Sequence, residues 1–289
     1  MTNVRSVSTG FLAILVLAAC ASNGVPSRSA AAAQVDQSWA EADGALLADA
    51  IAGSWRDKAN RARDGFRHPR ETLEFFRVGS RSRVIEISPS TGWYSEILAP
   101  YLRTSGTYIA ANATATPDSG AGKRATGLKA KFAGDPARYD RVQWLDFDGK
   151  NPGFGAPGSA DVVLTFRNVH NWVAGDNAEA YFKAFHDVLR PGGVLGVVDH
   201  RAKPGTSLEA MKKSGYLTED MVIDLATRAG FQLDARSEIN GNPKDDADHP
   251  NGVWTLPPTN RNDGKNVARY KAIGESDRMT LRFVKPRPR

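Results

Sequence analysis

The chain has 289 residues, 41% hydrophobic and 24% charged, with a formal net charge of +6 and a single cysteine. That length and apolar content suit one large α/β domain with extensions, and one cysteine excludes an internal disulfide. The positive excess is modest and scattered and does not interleave with aromatic residues in a patch, which argues against a nucleic-acid binder; beyond the N-terminus no apolar run of ~20 residues is available to cross a bilayer.

At the N-terminus Arg5 precedes an uncharged apolar run from Phe11 to Ala19 that ends at Cys20, the layout of an export signal. Leu17-Ala18-Ala19-Cys20 resembles the bacterial lipobox. The resemblance implies cleavage before Cys20, a diacylglycerol on its thiol and a periplasmic protein anchored to a membrane by lipid, with Ala21 favouring the outer membrane. Residues 20–37 are small and polar and read as a tether, residues 38–285 as the folded domain and residues 286–289 as a basic tail. Arg61, Arg63, Arg67 and Arg70 read as a solvated helix face, and His68-Pro69 with Glu71 as a helix start near the mouth of a pocket.

Val84, Ile85 and Ile87 predict a buried strand, Ser88-Pro89-Ser90-Thr91-Gly92 a small-residue turn, and Trp93, Ile97 and Leu98 a following helix. Such a turn lets a ligand approach the backbone, although serines stand at two of the three positions where glycine is usual. A second strand follows at Gly106–Ala111, then a polar connection from Asn112 to Gly127 and a short helix at Leu128–Phe132. Val142–Leu145 and Ala160–Phe166 predict the third and fourth strands. The apolar spacing from Asn177 to Leu189 predicts a helix stopped by Arg190-Pro191-Gly192-Gly193, and Val194–Asp199 predicts the fifth strand. A helix over Thr218–Ala229 and late strands at Phe231–Ile239 and Met279–Val284 complete an α/β, Rossmann-like, seven-stranded and mostly parallel sheet, with helices on both faces and an N-terminal helical extension.

This order, with Glu86-Ile87-Ser88-Pro89, Gly92-Trp93-Tyr94-Ser95-Glu96-Ile97-Leu98-Ala99-Pro100, Phe166-Arg167-Asn168-Val169-His170-Asn171-Trp172 and Leu189-Arg190-Pro191-Gly192-Gly193, resembles the class I S-adenosylmethionine-dependent methyltransferases. Within them it resembles a family of bacterial methyltransferases, many of them exported. The resemblance implies S-adenosyl-L-methionine as cofactor and a small-molecule or cell-envelope substrate. It implies cofactor contacts at Glu86, Ser88, Ser90, Gly92, Trp93, Tyr94 and Asn168, with Asn112 in place of the acid that ends the second strand, and with Asp146 and Phe147 at the adenine edge. His170 is the first candidate for a catalytic base, with Asn168 beside it and Asp199 and His200 as second candidates. Trp93, Tyr94, Phe166 and Trp172 are expected to line the pocket. Histidine spacing predicts no metal site: His186 reads as a surface or packing residue, and Asp245, Asp246, Asp248 and His249 read as a polar loop. The Ser88, Ser90 and Asn112 departures leave open a lipoprotein that keeps the fold as a non-catalytic binding or scaffold protein. A different nucleotide-binding Rossmann enzyme is the third reading, and oligomeric state is not legible.

Overall fold

The computed structural model describes residues 1–2 and 43–288; the expected signal beyond its first two residues, Cys20 and the whole tether lie outside the described residues. The domain opens with helical segments α1 (residues 43–52), α2 (Lys58–Arg61), α3 (Asp64–Arg67) and α4 (Pro69–Phe75). There follow β1 (Arg83–Ile87), α5 (Ser95–Leu102), β2 (Thr107–Ala113), α6 (Gly120–Ala133), α7 (Pro136–Tyr139), β3 (Gln143–Phe147) and β4 (Ala160–Phe166). The second half comprises α8 (Val169–Ala174), α9 (Ala178–Val188), β5 (Leu189–His200), α10 (Leu208–Ser214), α11 (Glu219–Arg228), β6 (Gln232–Ser237), α12 (Val267–Ile273) and β7 (Arg278–Val284). No described helix is long and apolar enough to cross a membrane.

The seven strands form one sheet in the order β3-β2-β1-β4-β5-β7-β6. The strands from β3 to β5 run parallel, and β7 is antiparallel to both β5 and β6. β1 is central because it can be buried on both faces. Ile85 and Ile87 pack with Phe182, Phe185 and Leu195 on one side, and Val84 packs with Phe76, Ile97 and Leu98 on the other. Each such side chain, removed from water, contributes roughly 1.5–3 kcal/mol before entropy is counted.

Three local readings change. α6 begins at Gly120, eight residues before the expected Leu128, because the Ser119 hydroxyl accepts the Gly122 amide at 3.0 Å and caps it, while Gly122 packs where a Cβ would lie 2.1 Å from the Thr116 carbonyl oxygen. α9 stops at Val188, and β5 starts at Leu189 rather than Val194, since Pro191 disfavours helical backbone at Arg190. Gly192 and Gly193 instead pair with Lys285, through Gly192 N–H to the Lys285 carbonyl at 2.7 Å and Lys285 N–H to the Gly193 carbonyl at 3.0 Å.

The N-terminal helical segment is bolted to α5. Trp55 Nε1 donates to the Glu96 carbonyl at 3.0 Å and Trp93 Nε1 to the Asn60 carbonyl at 2.8 Å. The fully buried Glu96 carboxylate accepts Asn60 Nδ2 at 3.0 Å and the Asp57 amide at 3.2 Å, and pairs with Lys131. Buried Arg56 forks onto Asp64 at 2.7 and 2.8 Å. Removing one partner of such a pair costs about 3–5 kcal/mol, so these contacts fix the attitude of α3 against the sheet.

Candidate functional site

At the carboxyl ends of β1, β2 and β4, where ligands collect in open α/β sheets, lies a cavity of about 590 Å³. Its floor is the turn after β1. Ser88, Ser90 and Gly92 all have left-handed backbone, with φ of 51°, 58° and 85°. The turn therefore follows the path that glycine favours, with serine side chains carried at two of its three left-handed positions. Gly92 itself lies beneath the surface of the turn: a Cβ there would meet Leu128 Cδ1 at 2.4 Å, so glycine is needed for helix packing and not for a lining contact.

Glu86, at the end of β1, is buried and lines the cavity. Its Oε2 accepts Ser95 Oγ at 2.9 Å and the Tyr108 hydroxyl at 2.5 Å, tying β1 to α5 and β2. Burial drives its pKa from 4.5 up to about 7, against the lowering effect of those two hydrogen bonds. Asn112, at the end of β2, is also buried and lining, and its Nδ2 has no hydrogen-bond partner among the described residues. Asn168 Nδ2 donates to the Ile87 carbonyl at 3.0 Å, which holds the end of β1 to the segment after β4.

Trp93, Tyr94, Phe166 and Trp172 all line the cavity, as expected. Tyr94 stacks on Phe166 with centroids 3.6 Å apart, and Trp172 on Tyr181 at 4.1 Å. Asp146 and Phe147 are not there. Asp146, near the end of the edge strand β3, is exposed and 3.2 Å from Lys129 Nζ of α6, while Phe147 points to the opposite face, into the core against Phe154. His68 is a half-buried turn residue with φ of 40° between α3 and α4 and does not line the cavity. The two helical neighbours that do are Arg63 and Arg67, which the sequence reading assigned to a solvated face.

His170 and Asp199 form one unit. His170 Nδ1 lies 2.8 Å from Asp199 Oδ1, its backbone amide donates to Asp199 Oδ2 at 3.2 Å, and the His200 amide donates to Oδ1 at 2.8 Å. Asp199 is fully buried and does not reach the cavity; His170 does. With Nδ1–H donated to the carboxylate, the imidazole carries its lone pair on Nε2. His200 is a different kind of group. Burial, reinforced by the charges of Arg167, Arg278 and Arg67, holds its pKa well below the ordinary value, so it is neutral, with Nδ1 2.6 Å from Ser276 Oγ.

Ligand atoms of His170, Asp199 and His200 lie within 4.8 Å of one another, a spacing the sequence did not suggest. The surrounding guanidinium groups disfavour a cation between them. The same spacing holds for Asp245, Asp246 and His249 in the polar loop expected there, but the loop is tied down by its own side chains. Asp245 and His249 are buried, and Asp245 already accepts the Tyr216 hydroxyl, the Asp277 and Ala247 amides and His249 Nε2.

Strand order, the antiparallel β7 and a cavity over the β1 turn define one architecture. The fold is that of the class I S-adenosylmethionine-dependent methyltransferases. An S-adenosylmethionine-dependent methyltransferase from Aquifex aeolicus superposes with a TM-score of 0.53 at 12% identity, covering 78% of this chain and 93% of that one. The [4+2]-cyclase SpnF superposes with a TM-score of 0.57 at 14% identity, covering 88% and 97%. No family model and no curated protein matches the chain. At these identities the likeness carries the fold, and a cyclase among the neighbours is a reminder that chemistry has to be argued from the site.

Proposed function

We propose that this protein is a methyltransferase that takes its methyl group from S-adenosyl-L-methionine and transfers it to a small-molecule or cell-envelope acceptor. The observation that carries the reading is that the left-handed β1 turn and His170, held from behind by Asp199, open onto the same cavity. The residues fit the cofactor. The turn at Ser88 and Ser90 would border its methionine part, and the unpartnered Asn112 Nδ2 would find an oxygen acceptor on its ribose. Glu86 stiffens the turn through Ser95 and Tyr108. Asn112 lacks the charge of the usual acid, which weakens its grip on hydroxyl donors relative to a carboxylate.

The bound cofactor supplies an electrophilic methyl group on a sulfonium. The chain supplies alignment and a base. The aromatic walls Trp93, Tyr94, Phe166 and Trp172 exclude water and hold the acceptor. His170 Nε2 takes the proton from the attacking O–H or N–H group, and Asp199, fixed by two backbone amides, stabilises the imidazolium that forms.

Calorimetric titration of the full chain with S-adenosylhomocysteine tests the reading. Binding in the range of about micromolar, weakened roughly tenfold in Asn112→Leu and unchanged in His170→Gln, is the expected pattern. His170→Gln should then abolish turnover of any acceptor found by screening. A folded protein that takes up neither S-adenosylmethionine nor S-adenosylhomocysteine would leave the cavity to the non-catalytic binding role.

A further inference from the structure

One wall of the cavity carries more positive charge than the protein neutralises. Arg63 precedes α3 and Arg67 ends it, Arg167 follows β4 with φ of 63°, and Arg278, which does not itself line the cavity, opens β7. Three of them meet a single carboxylate: Arg63 Nε lies 2.6 Å from Glu275 Oε1, Arg67 Nε 3.0 Å from Oε2 and Arg278 Nη1 2.8 Å from Oε2. Arg167 has no carboxylate partner among the described residues, and its Nε donates to the neutral His200 at 3.4 Å.

The electrostatics register the imbalance. Burial pushes the Glu275 carboxyl up, yet Arg67, Arg278, Arg63 and Arg167 together hold it at about 2. Burial, followed by the charge of Arg67, brings Arg167 down to about 9. Arg63 Nη2 and Arg67 Nη2 are buried donors without partners, and Arg67 is only 6% exposed. A buried, unpaired donor of this type is destabilising. Arg63, Arg67 and Arg167 all line the cavity, and Arg167 Nε meets His200, whose ring centroid lies 5.0 Å from that of His170. An anion in the cavity would offset the charge of the three lining guanidiniums, Arg63, Arg67 and Arg167. S-adenosylmethionine would not remove the excess, because its sulfonium and ammonium outweigh its carboxylate.

Resting on the methyltransferase reading, we propose that the methyl acceptor is a small organic anion, a carboxylate or a phosphate, whose acidic group sits on Arg63, Arg67 and Arg167 with its nucleophilic atom towards His170. Guanidinium groups bind both anions through paired N–H donors. The aromatic walls suit an unsaturated or ring-bearing body.

The test titrates the full chain with benzoate and with inorganic phosphate, using benzyl alcohol as the uncharged control, each with and without saturating S-adenosylhomocysteine. At least one anion should bind in the presence of S-adenosylhomocysteine, with benzyl alcohol weaker by about tenfold or more. Arg63→Gln and Arg167→Gln should each weaken the anion by about tenfold while S-adenosylhomocysteine affinity holds. Arg63 is part-exposed and so serves as the variant least prone to unfold, checked by its melting curve. The preferred anion tells carboxylate from phosphate. Failure of both anions to bind, or their competitive displacement by S-adenosylhomocysteine, would overturn the proposal; in the second case the arginines serve the donor's carboxylate. Anion binding without any S-adenosylhomocysteine binding would keep the anion site and overturn only the methyltransferase reading.

Discussion

Glu86→Gln isolates a carboxyl whose titration opposes folding. In the unfolded chain this group has a pKa near 4.5, and in the fold burial raises it to about 7. The folded state therefore holds the proton more tightly, and its stability relative to a non-titrating variant is fully present below about pH 4.5 and lost as the pH rises through about 7. At about 1.4 kcal/mol per pKa unit the shift corresponds to a loss on the order of 3 kcal/mol above the window. A glutamine keeps an oxygen for Ser95 and Tyr108 to donate to and removes the titration. The assay is urea unfolding of wild type and Glu86→Gln at several values between about pH 5 and about pH 8, read as the difference between the two. Wild type should lose stability relative to the variant across that range. Parallel curves would refute the argument, since they would mean that Glu86 reaches enough water or counter-charge to ionise freely. A cationic ligand in the cavity should pull the same carboxyl back down, so S-adenosylmethionine binding near neutral pH should release a proton, visible as a dependence of the heat on the buffer.

Ser88→Gly and Ser90→Gly relieve a left-handed backbone cost of roughly 1 kcal/mol at each position, offset by about 0.5–1 kcal/mol of extra glycine entropy. Unfolding midpoints should hold or rise by a few degrees, and a fall of more than about 1 kcal/mol would indicate that the hydroxyls make contacts absent from this geometry. Expression of the full chain in a Gram-negative host with labelled palmitate tests the anchor at Cys20: wild type should carry label and sediment with membranes, Cys20→Ala should do neither, and an unlabelled wild type would sink the idea.

The strands were legible because a doubly covered strand needs consecutive bulky residues, as in Val84-Ile85 and Val162-Val163-Leu164. α6 was not, because Gly120, Gly122 and Gly127 lower helix propensity, and the close contact with the Thr116 carbonyl explains Gly122 alone. Asp146 was ambiguous from the start, because an exposed aspartate at the end of a strand looks the same in sequence as one that meets a ligand, and here it is exposed beside Lys129. The arginine wall was illegible for a different reason. Arg63 and Arg67 are spaced like any solvated helix face, and what buries them is Glu275, 208 residues beyond Arg67.

The histidine–aspartate pair shows how far local reading reaches and what topology adds. His170 and Asp199 each stood out separately, one after the fourth strand and the other at the end of the fifth. Nothing in their spacing joined them. β4 and β5 are parallel, and Phe166 pairs with Val198, so the chain leaving β4 passes beside Asp199 within four residues. Arg167 hydrogen-bonds back to Val198 at 2.8 Å, and α8 begins at Val169 and turns the His170 amide and ring together onto the carboxylate. A short helix that the sequence did not announce thus converts two independent candidates into one hydrogen-bonded pair. The same left-handed Arg167 that starts this turn also contributes a guanidinium to the cavity wall. A change at Arg167 should therefore move both the position of the base and the affinity for an anion, whereas a change at Arg63 should move the anion alone.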